Sequence, residues 1–172
     1  MAVKKKNFDV EVPLIDTIVQ VPSMSLENLN GKTINLDLTR ILKGKSLEAS
    51  FLINVSDKAV AVPKKISLMP FYIRRMFRKG ISYVESSLVY ETKDRKVRIK
   101  TFMITRKKVH RSVRKAIREK AVKELADFCK DKTLGEIFSA VVAGAMQKDL
   151  SLKLKKIYPL SLCEIRAVIP VK

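Results

Sequence analysis

Leu47, Ala49, Phe51, Ile53 and Val55 place an apolar side chain at every second position of residues 47–55. Successive side chains of an extended chain point to opposite faces, so this run buries one face and wets the other. A helix, with its period near 3.6, would spread the same residues around its whole circumference. Two shorter runs repeat the pattern: Phe8, Val10 and Val12 against Asp9 and Glu11 up to Pro13, and Ile34, Leu36 and Leu38 against Asn35 and Asp37. Asn30-Gly31 and Lys43-Gly44 punctuate them as turns. Val60–Ile66 continues the strand set, with Pro63 marking an edge or a bulge because it cannot donate to a ladder. Residues 1–66 are therefore expected to be mainly strands.

The pattern then changes. Leu68–Lys79 reads as a short helix with Pro70 in its first turn and Gly80 closing its C-terminal end, Met69, Ile73 and Phe77 recurring at helical spacing. Ile81–Thr92 and Val97–Ile104 read as a hairpin turning at Lys93–Lys96. Val97, Ile99, Thr101 and Met103 point one way and Arg98 and Lys100 the other. Residues 106–111 are too basic for a core element and read as a loop. Ser112 is then the expected cap of a helix over 113–130, with Val113, Ala116, Ile117, Ala121, Leu125 and Phe128 as its apolar stripe. Thr133 and Glu136 have the spacing of a capping box before an almost wholly apolar helix over 134–147. A short helix over 149–157 follows. Cys163, Ile165, Ala167 and Ile169 form a last strand that returns to the sheet of the first half.

The expectation is an α+β fold: a mostly antiparallel sheet or barrel, helices packed on one side, and a C-terminal strand in the sheet. One domain over 1–172 is expected, with strands over 1–66, a short helix and hairpin over 67–105, a basic loop and helices over 106–158, and a final strand over 159–170.

Charge bounds the function. The formal net charge is +19, and residues 61–125 carry 20 basic and 5 acidic residues, a net +15. Like charges at this density repel one another and disfavour the compact state, so a polyanionic partner is implied: nucleic acid or an anionic membrane face. The start holds Lys4, Lys5 and Lys6 with no apolar run behind them, unlike a secretory signal. In the second half, the longest stretch free of charge and proline, Ile137–Gln147, falls far short of the roughly 20 residues that span a bilayer. A membrane surface fits poorly too, because the apolar stripe over 113–130 is needed for the core. Cys129 and Cys163 are the only cysteines and are expected to be buried reduced thiols.

Nothing in the chain points to catalysis. His110 is the only histidine, lies in a basic run and reads as a residue touching phosphate or solvent. No glycine-rich phosphate loop occurs, and Glu85 and Glu91 on one strand make no acid–base pair. No enzyme activity, cofactor, metal or small-molecule substrate is expected. Arg supplies 9 of the 20 basic residues in the block, which suits bidentate phosphate binding. Aromatic residues in a basic setting are limited to Phe71, Tyr72 and Phe77. Recognition of folded RNA by backbone and shape is therefore the favoured mode.

Several words, in order, resemble a known family. They are Phe8-Asp-Val-Glu-Val-Pro13, Gly31-Lys32 with Asp37-Leu-Thr-Arg40, and Ile73-Arg-Arg-Met-Phe-Arg78. Lys93-Asp94 with Val97-Arg-Ile-Lys100, and Thr105-Arg-Lys-Lys108 with Ser112 and Ala116-Ile-Arg118, follow. Lys156-Ile-Tyr-Pro-Leu160 and Glu164-Ile-Arg166 close the series. Together they resemble the archaeal and eukaryotic small-subunit ribosomal protein called protein one of the eukaryotic type, formerly three A in mammals. The chain lacks the long C-terminal tail of the eukaryotic members, so an archaeal-type member is implied. Ile66-Ser-Leu-Met69 departs from the Leu-Thr-Arg-Asp of archaeal members.

The resemblance implies a structural constituent of the small ribosomal subunit, working in translation in the cytoplasm. Its seat is the platform near the messenger exit, with small-subunit ribosomal RNA and neighbouring ribosomal proteins as partners and no membrane. It puts Arg74, Arg75, Arg78, Arg98, Lys100, Arg106, Lys107, Lys108, Arg111, Arg114, Lys115 and Arg118 against RNA. Lys64, Lys65 and Lys79, in the same basic block, complete the candidate set. The alternative is a nucleic-acid-binding or chromatin-type protein free of the ribosome.

Overall fold

The alternating runs become strands of one eight-stranded sheet in the computed structural model, which describes residues 6–42, 44–56 and 58–171. Lys4, Lys5 and Lys43, used in the sequence reading, lie outside the described residues. The strands are β1 (Lys6–Val12), β2 (Thr17–Ser23), β3 (Thr33–Asp37), β4 (Leu47–Val55), β5 (Ala59–Leu68), β6 (Tyr83–Glu91), β7 (Lys96–Thr105) and β8 (Leu160–Pro170). The helices are α1 (Pro70–Met76), α2 (Arg111–Lys130), α3 (Leu134–Ala143) and α4 (Ala145–Leu154). β4 covers the period-two run, with Leu47, Ala49, Phe51 and Ile53 buried.

The sheet runs β2-β1-β5-β8-β7-β6, and β3 and β4 extend it from the other side of β5. β1 joins β5 in parallel at Val10–Ala59 and Glu11–Val60, and all other pairings are antiparallel. The mixed, mostly antiparallel sheet is thus of the expected class. β8 enters between β5 and β7, so the last strand ties the first half to the hairpin. Its pairing with β5 is short, at Ile66–Val168 and Ser67–Ala167. Pro63 sits at a bulge: Phe51 pairs Pro63 while Ser50 pairs Lys65, leaving Lys64 unpaired.

α2, α3 and α4 pack on one another and on the sheet. α2 lies on β6 through Ile117, Ala121, Leu125 and Cys129, while Val113, Ala116 and Phe128 of the expected stripe are only partly buried. One continuous core joins these helices to β1, β4, β5, β7 and β8. Cys129 and Cys163 are free and buried, and burial pushes their thiols up to about 11 and about 12.

Four expectations need correction. β2 was missed, because Ile18 on its outward face is 63% exposed and hides the alternation of Val19, Val21 and Ser23. The helix expected over Leu68–Lys79 is only Pro70–Met76: Leu68 still belongs to β5, and Phe77 turns extended at φ −73°, ψ 127°. The helix expected over 134–147 ends at Ala143, because Gly144 adopts φ +76° and breaks it; the next helix is therefore Ala145–Leu154, not 149–157. The capping box at Thr133 and Glu136 is present.

The fourth correction concerns α2. Its cap is His110, not Ser112: the His110 Nδ1 accepts from the Ser112 backbone N–H at 3.4 Å. The ring does at this helix start what a short hydroxyl or amide side chain usually does.

Candidate nucleic-acid interface

Ser82 and Thr105 clasp the two ends of the hairpin to the basic segments beside them. The Thr105 backbone N–H donates to the Ser82 carbonyl at 2.9 Å, and the Thr105 hydroxyl receives the Ser82 N–H at 3.1 Å. The Val109 N–H then donates to the Ser82 hydroxyl at 3.1 Å. Both residues are buried, so the clasp is shielded from competing water. It brings the chain just after Arg78 and Lys79 against Arg106, Lys107 and Lys108, which the sequence separates by more than 25 positions.

From this loop α2 begins with Arg111, Arg114, Lys115 and Arg118. Their spacing puts all four on one stripe beside the buried one. The first turn contains no acidic residue. Cations here oppose the helix dipole, so their placement works against the helix that carries them. The Arg118 Nε donates to the Glu85 carbonyl of the edge strand β6 at 3.1 Å, which turns the stripe toward the sheet edge. Beyond that edge, Ser87 pairs Lys100 and Val89 pairs Arg98 on the sheet face away from α2. Arg98 is exposed and Lys100 half-buried. Arg166, at a β8 bulge, reaches the same face and holds the Glu85 carboxylate at 3.2 Å.

The candidate residues thus fall into three groups. Arg78, Lys79, Arg106, Lys107, Lys108, Arg111, Arg114, Lys115 and Arg118 gather at the clasp and the start of α2, and Arg98 and Lys100 adjoin them over the β6 edge. Arg74 and Arg75 are exposed on α1, the Arg75 guanidinium 5.4 Å from the Tyr72 ring centre. Lys64 and Lys65 stand elsewhere, at the β5 bulge. With Arg95 they line a cleft of about 610 Å³ that opens where β5 leaves β8. Arg95 and Arg166 were not singled out from the sequence. Arg95 belongs to the hairpin turn Lys93–Lys96 and Arg166 is a lone cation in its local run, and only the fold places each beside the others.

Fourteen of the fifteen candidate cations join no ion pair among the described residues; only Lys115 meets a carboxylate, Glu119, at 3.8 Å. Of the other seventeen described cations, seven are paired. Most of the described ion pairs thus lie away from the candidate cations, and the acids beside them are Glu119, on Lys115, and Glu85, on Arg166. Among the described residues no cluster of three His, Cys, Asp or Glu side chains could hold a metal ion, and no helix is long and apolar enough to cross a membrane.

Comparison with known proteins bears on this surface. The pattern of the Ribosomal S3Ae family matches residues 2–172. A protein of Haloarcula marismortui, small ribosomal subunit protein eS1, is 29% identical over 167 residues, 94% of this chain and 76% of its own length. The protein of the same name from Methanothermobacter thermautotrophicus is 33% identical over 95 residues, 55% of this chain. That match spans about half, 49%, of the Methanothermobacter protein. The Pyrobaculum neutrophilum protein of that name is 27% identical over 157 residues, 88% of this chain and 71% of its own length.

Proposed function

The chain belongs to the Ribosomal S3Ae family, and from that premise we propose that it is an archaeal-type structural constituent of the small ribosomal subunit that binds ribosomal RNA through its basic surface. The observation that carries the reading is the set of fourteen candidate cations without a carboxylate partner among the described residues. A protein that spends its acidic residues elsewhere leaves these charges for an external polyanion. Phosphates would take bidentate contacts from the arginines and point charges from the lysines. The role is structural rather than catalytic, in translation, and its place is the ribosome in the cytoplasm.

For its seat we take the one that the family resemblance implies: the platform near the messenger exit, against ribosomal RNA and neighbouring ribosomal proteins. The surface mixes a helix start, a loop and a strand face, a shape suited to a folded RNA rather than to one groove of a regular duplex. The chain is read as one domain.

Sedimentation tests the role. The native protein should travel with small subunits at low salt and leave them at high salt, as release of condensed counterions requires. Affinity for isolated small-subunit RNA should exceed that for an arbitrary DNA duplex. Equal affinity for any duplex would favour a free nucleic-acid-binding protein instead. Hydroxyl-radical footprinting of the bound RNA tests the seat: protection should fall on the RNA of the platform near the messenger exit.

A further inference from the structure

Helices α2 to α4 cover one face of the β6–β7–β8 region. On the other face, the segment after α1 covers one end and leaves the rest open. Phe77, the first residue beyond α1, lays its ring against buried Phe102 with centroids 5.5 Å apart. It also meets Tyr83, at 5.3 Å and 87°. This holds Phe77 and Tyr83 together at the sheet edge, yet they remain 43% and 54% exposed. Burial of Phe102 accounts for one side of Phe77. It does not account for a tyrosine more than half exposed at the end of an edge strand.

The surroundings of this pair are cationic. Arg78 and Lys79 follow Phe77 directly, and the Ser82–Thr105 clasp brings the basic loop alongside. Glu85 lies two residues along β6 on the same face, and its carboxylate is held by Arg166, so the acid on this path is already neutralised. Lys100 comes next across the β6–β7 ladder. An open sheet face that offers exposed aromatic rings beside cations is the arrangement that binds unpaired nucleotides: bases stack on the rings and phosphates follow the charges.

Building on the RNA-binding reading above, we propose that Tyr83 and Phe77 form a stacking platform for an unpaired base of RNA, whose backbone continues along Arg166 and Lys100. The site recognises single-stranded RNA without reading its sequence, because every base has a face to stack. It adds a base-contacting element to a surface that otherwise meets phosphates. From the sequence, Phe71, Tyr72 and Phe77 were the aromatics in a basic setting. The structure buries Tyr72 and replaces it with Tyr83, which the fold carries to the basic loop.

Binding of the full chain to a single-stranded oligouridylate of about 12 nucleotides, and to an RNA duplex of similar length, tests the site. Tyr83→Ala should weaken oligouridylate binding by about 5- to 150-fold, the range of one lost base–aromatic stack. It should leave duplex binding and the slope of affinity against salt unchanged, since no charge is removed. Tyr83→Phe, which keeps the ring, should bind like the parent. Ultraviolet crosslinking should join Tyr83 or Phe77 to the oligouridylate. Equal oligouridylate affinity of parent and Tyr83→Ala overturns the platform and leaves RNA binding intact. A parent protein that binds neither RNA overturns the platform together with the reading it rests on.

Discussion

The two halves of α2 treat charge in opposite ways. Its first eight residues carry Arg111, Arg114, Lys115 and Arg118, and none of the three arginines pairs with a carboxylate among the described residues. The rest of the helix carries Lys120, Lys123 and Lys130 beside Glu124 and Asp127; Lys120 and Lys130 lie within ion-pair distance of them, and Lys123 has no carboxylate partner among the described residues. Glu124 also takes Lys153 of α4 at 2.5 Å, which ties two helices together. The helix dipole favours cations at the C-terminal end and opposes them at the other. The second half is therefore arranged for the protein's own stability, and the first half against it. Charge that a helix holds at a cost marks a surface meant for a partner.

The largest effect that this contrast predicts is on RNA affinity. Replacing Arg111, Arg114 and Arg118 by Gln should reduce the slope of log affinity against log salt by about 2–3, close to one for each lost phosphate contact. The same change to Lys120, Lys123 and Lys130 should leave the slope nearly as it was. A filter-binding titration across salt reads both.

The second prediction runs the other way. Removing charge from the first turn should stabilise the free protein, by about 0.3–1 kcal/mol each for Arg111→Gln and Arg114→Gln at low ionic strength. Urea denaturation without RNA checks it. A loss of stability would mean that these side chains support the fold and that the contrast has been misread.

The third is a pH dependence. Hydrogen bonds from Lys120 and Lys153 hold the Glu124 carboxyl well below its usual 4.5, at about 2. A carboxyl lowered in the folded state stabilises it above its ordinary value, and that contribution fades as pH falls from about 4.5 through about 2. Glu124→Gln should flatten the stability profile over this window while leaving RNA binding at neutral pH unchanged. Thermal melts of the two proteins across acid pH test it.

The smallest effect belongs to the lysines of the second half. Lys120→Gln should lower the melting temperature only slightly, because the Lys120 side chain is half-exposed and Glu124 keeps Lys153 as a partner. The loss should shrink further in high salt.

Much of the fold was legible because a wetted strand writes its burial into every second residue, as β4 shows. β2 was not legible, since an edge strand tolerates Ile18 on its open side. Helix ends were read less well than helix cores. Gly144 falls inside the helix expected over 134–147, and its left-handed backbone makes it a boundary. His110 was read as a phosphate or solvent contact, and its ring caps α2.

Of the candidate surface, the basic loop and the α2 stripe were visible as local runs. Their meeting with Arg78 and Lys79 was not, because it depends on a buried Ser–Thr clasp across the hairpin. Arg166 and Tyr83 were hidden for the same reason: register between distant strands, not local sequence, puts them beside the rest. Lys64 and Lys65, local neighbours in the basic block, went the other way and line a cleft with Arg95.

The central claim is that the first half of α2 holds its charge for RNA and the second half for the protein. The most direct measurement compares the salt dependence of binding to small-subunit ribosomal RNA for the parent, the Arg111/Arg114/Arg118→Gln variant and the Lys120/Lys123/Lys130→Gln variant. A slope reduced by about 2–3 in the first variant and by less than about 1 in the second is the predicted result. Equal reductions in both, or none in either, would contradict it.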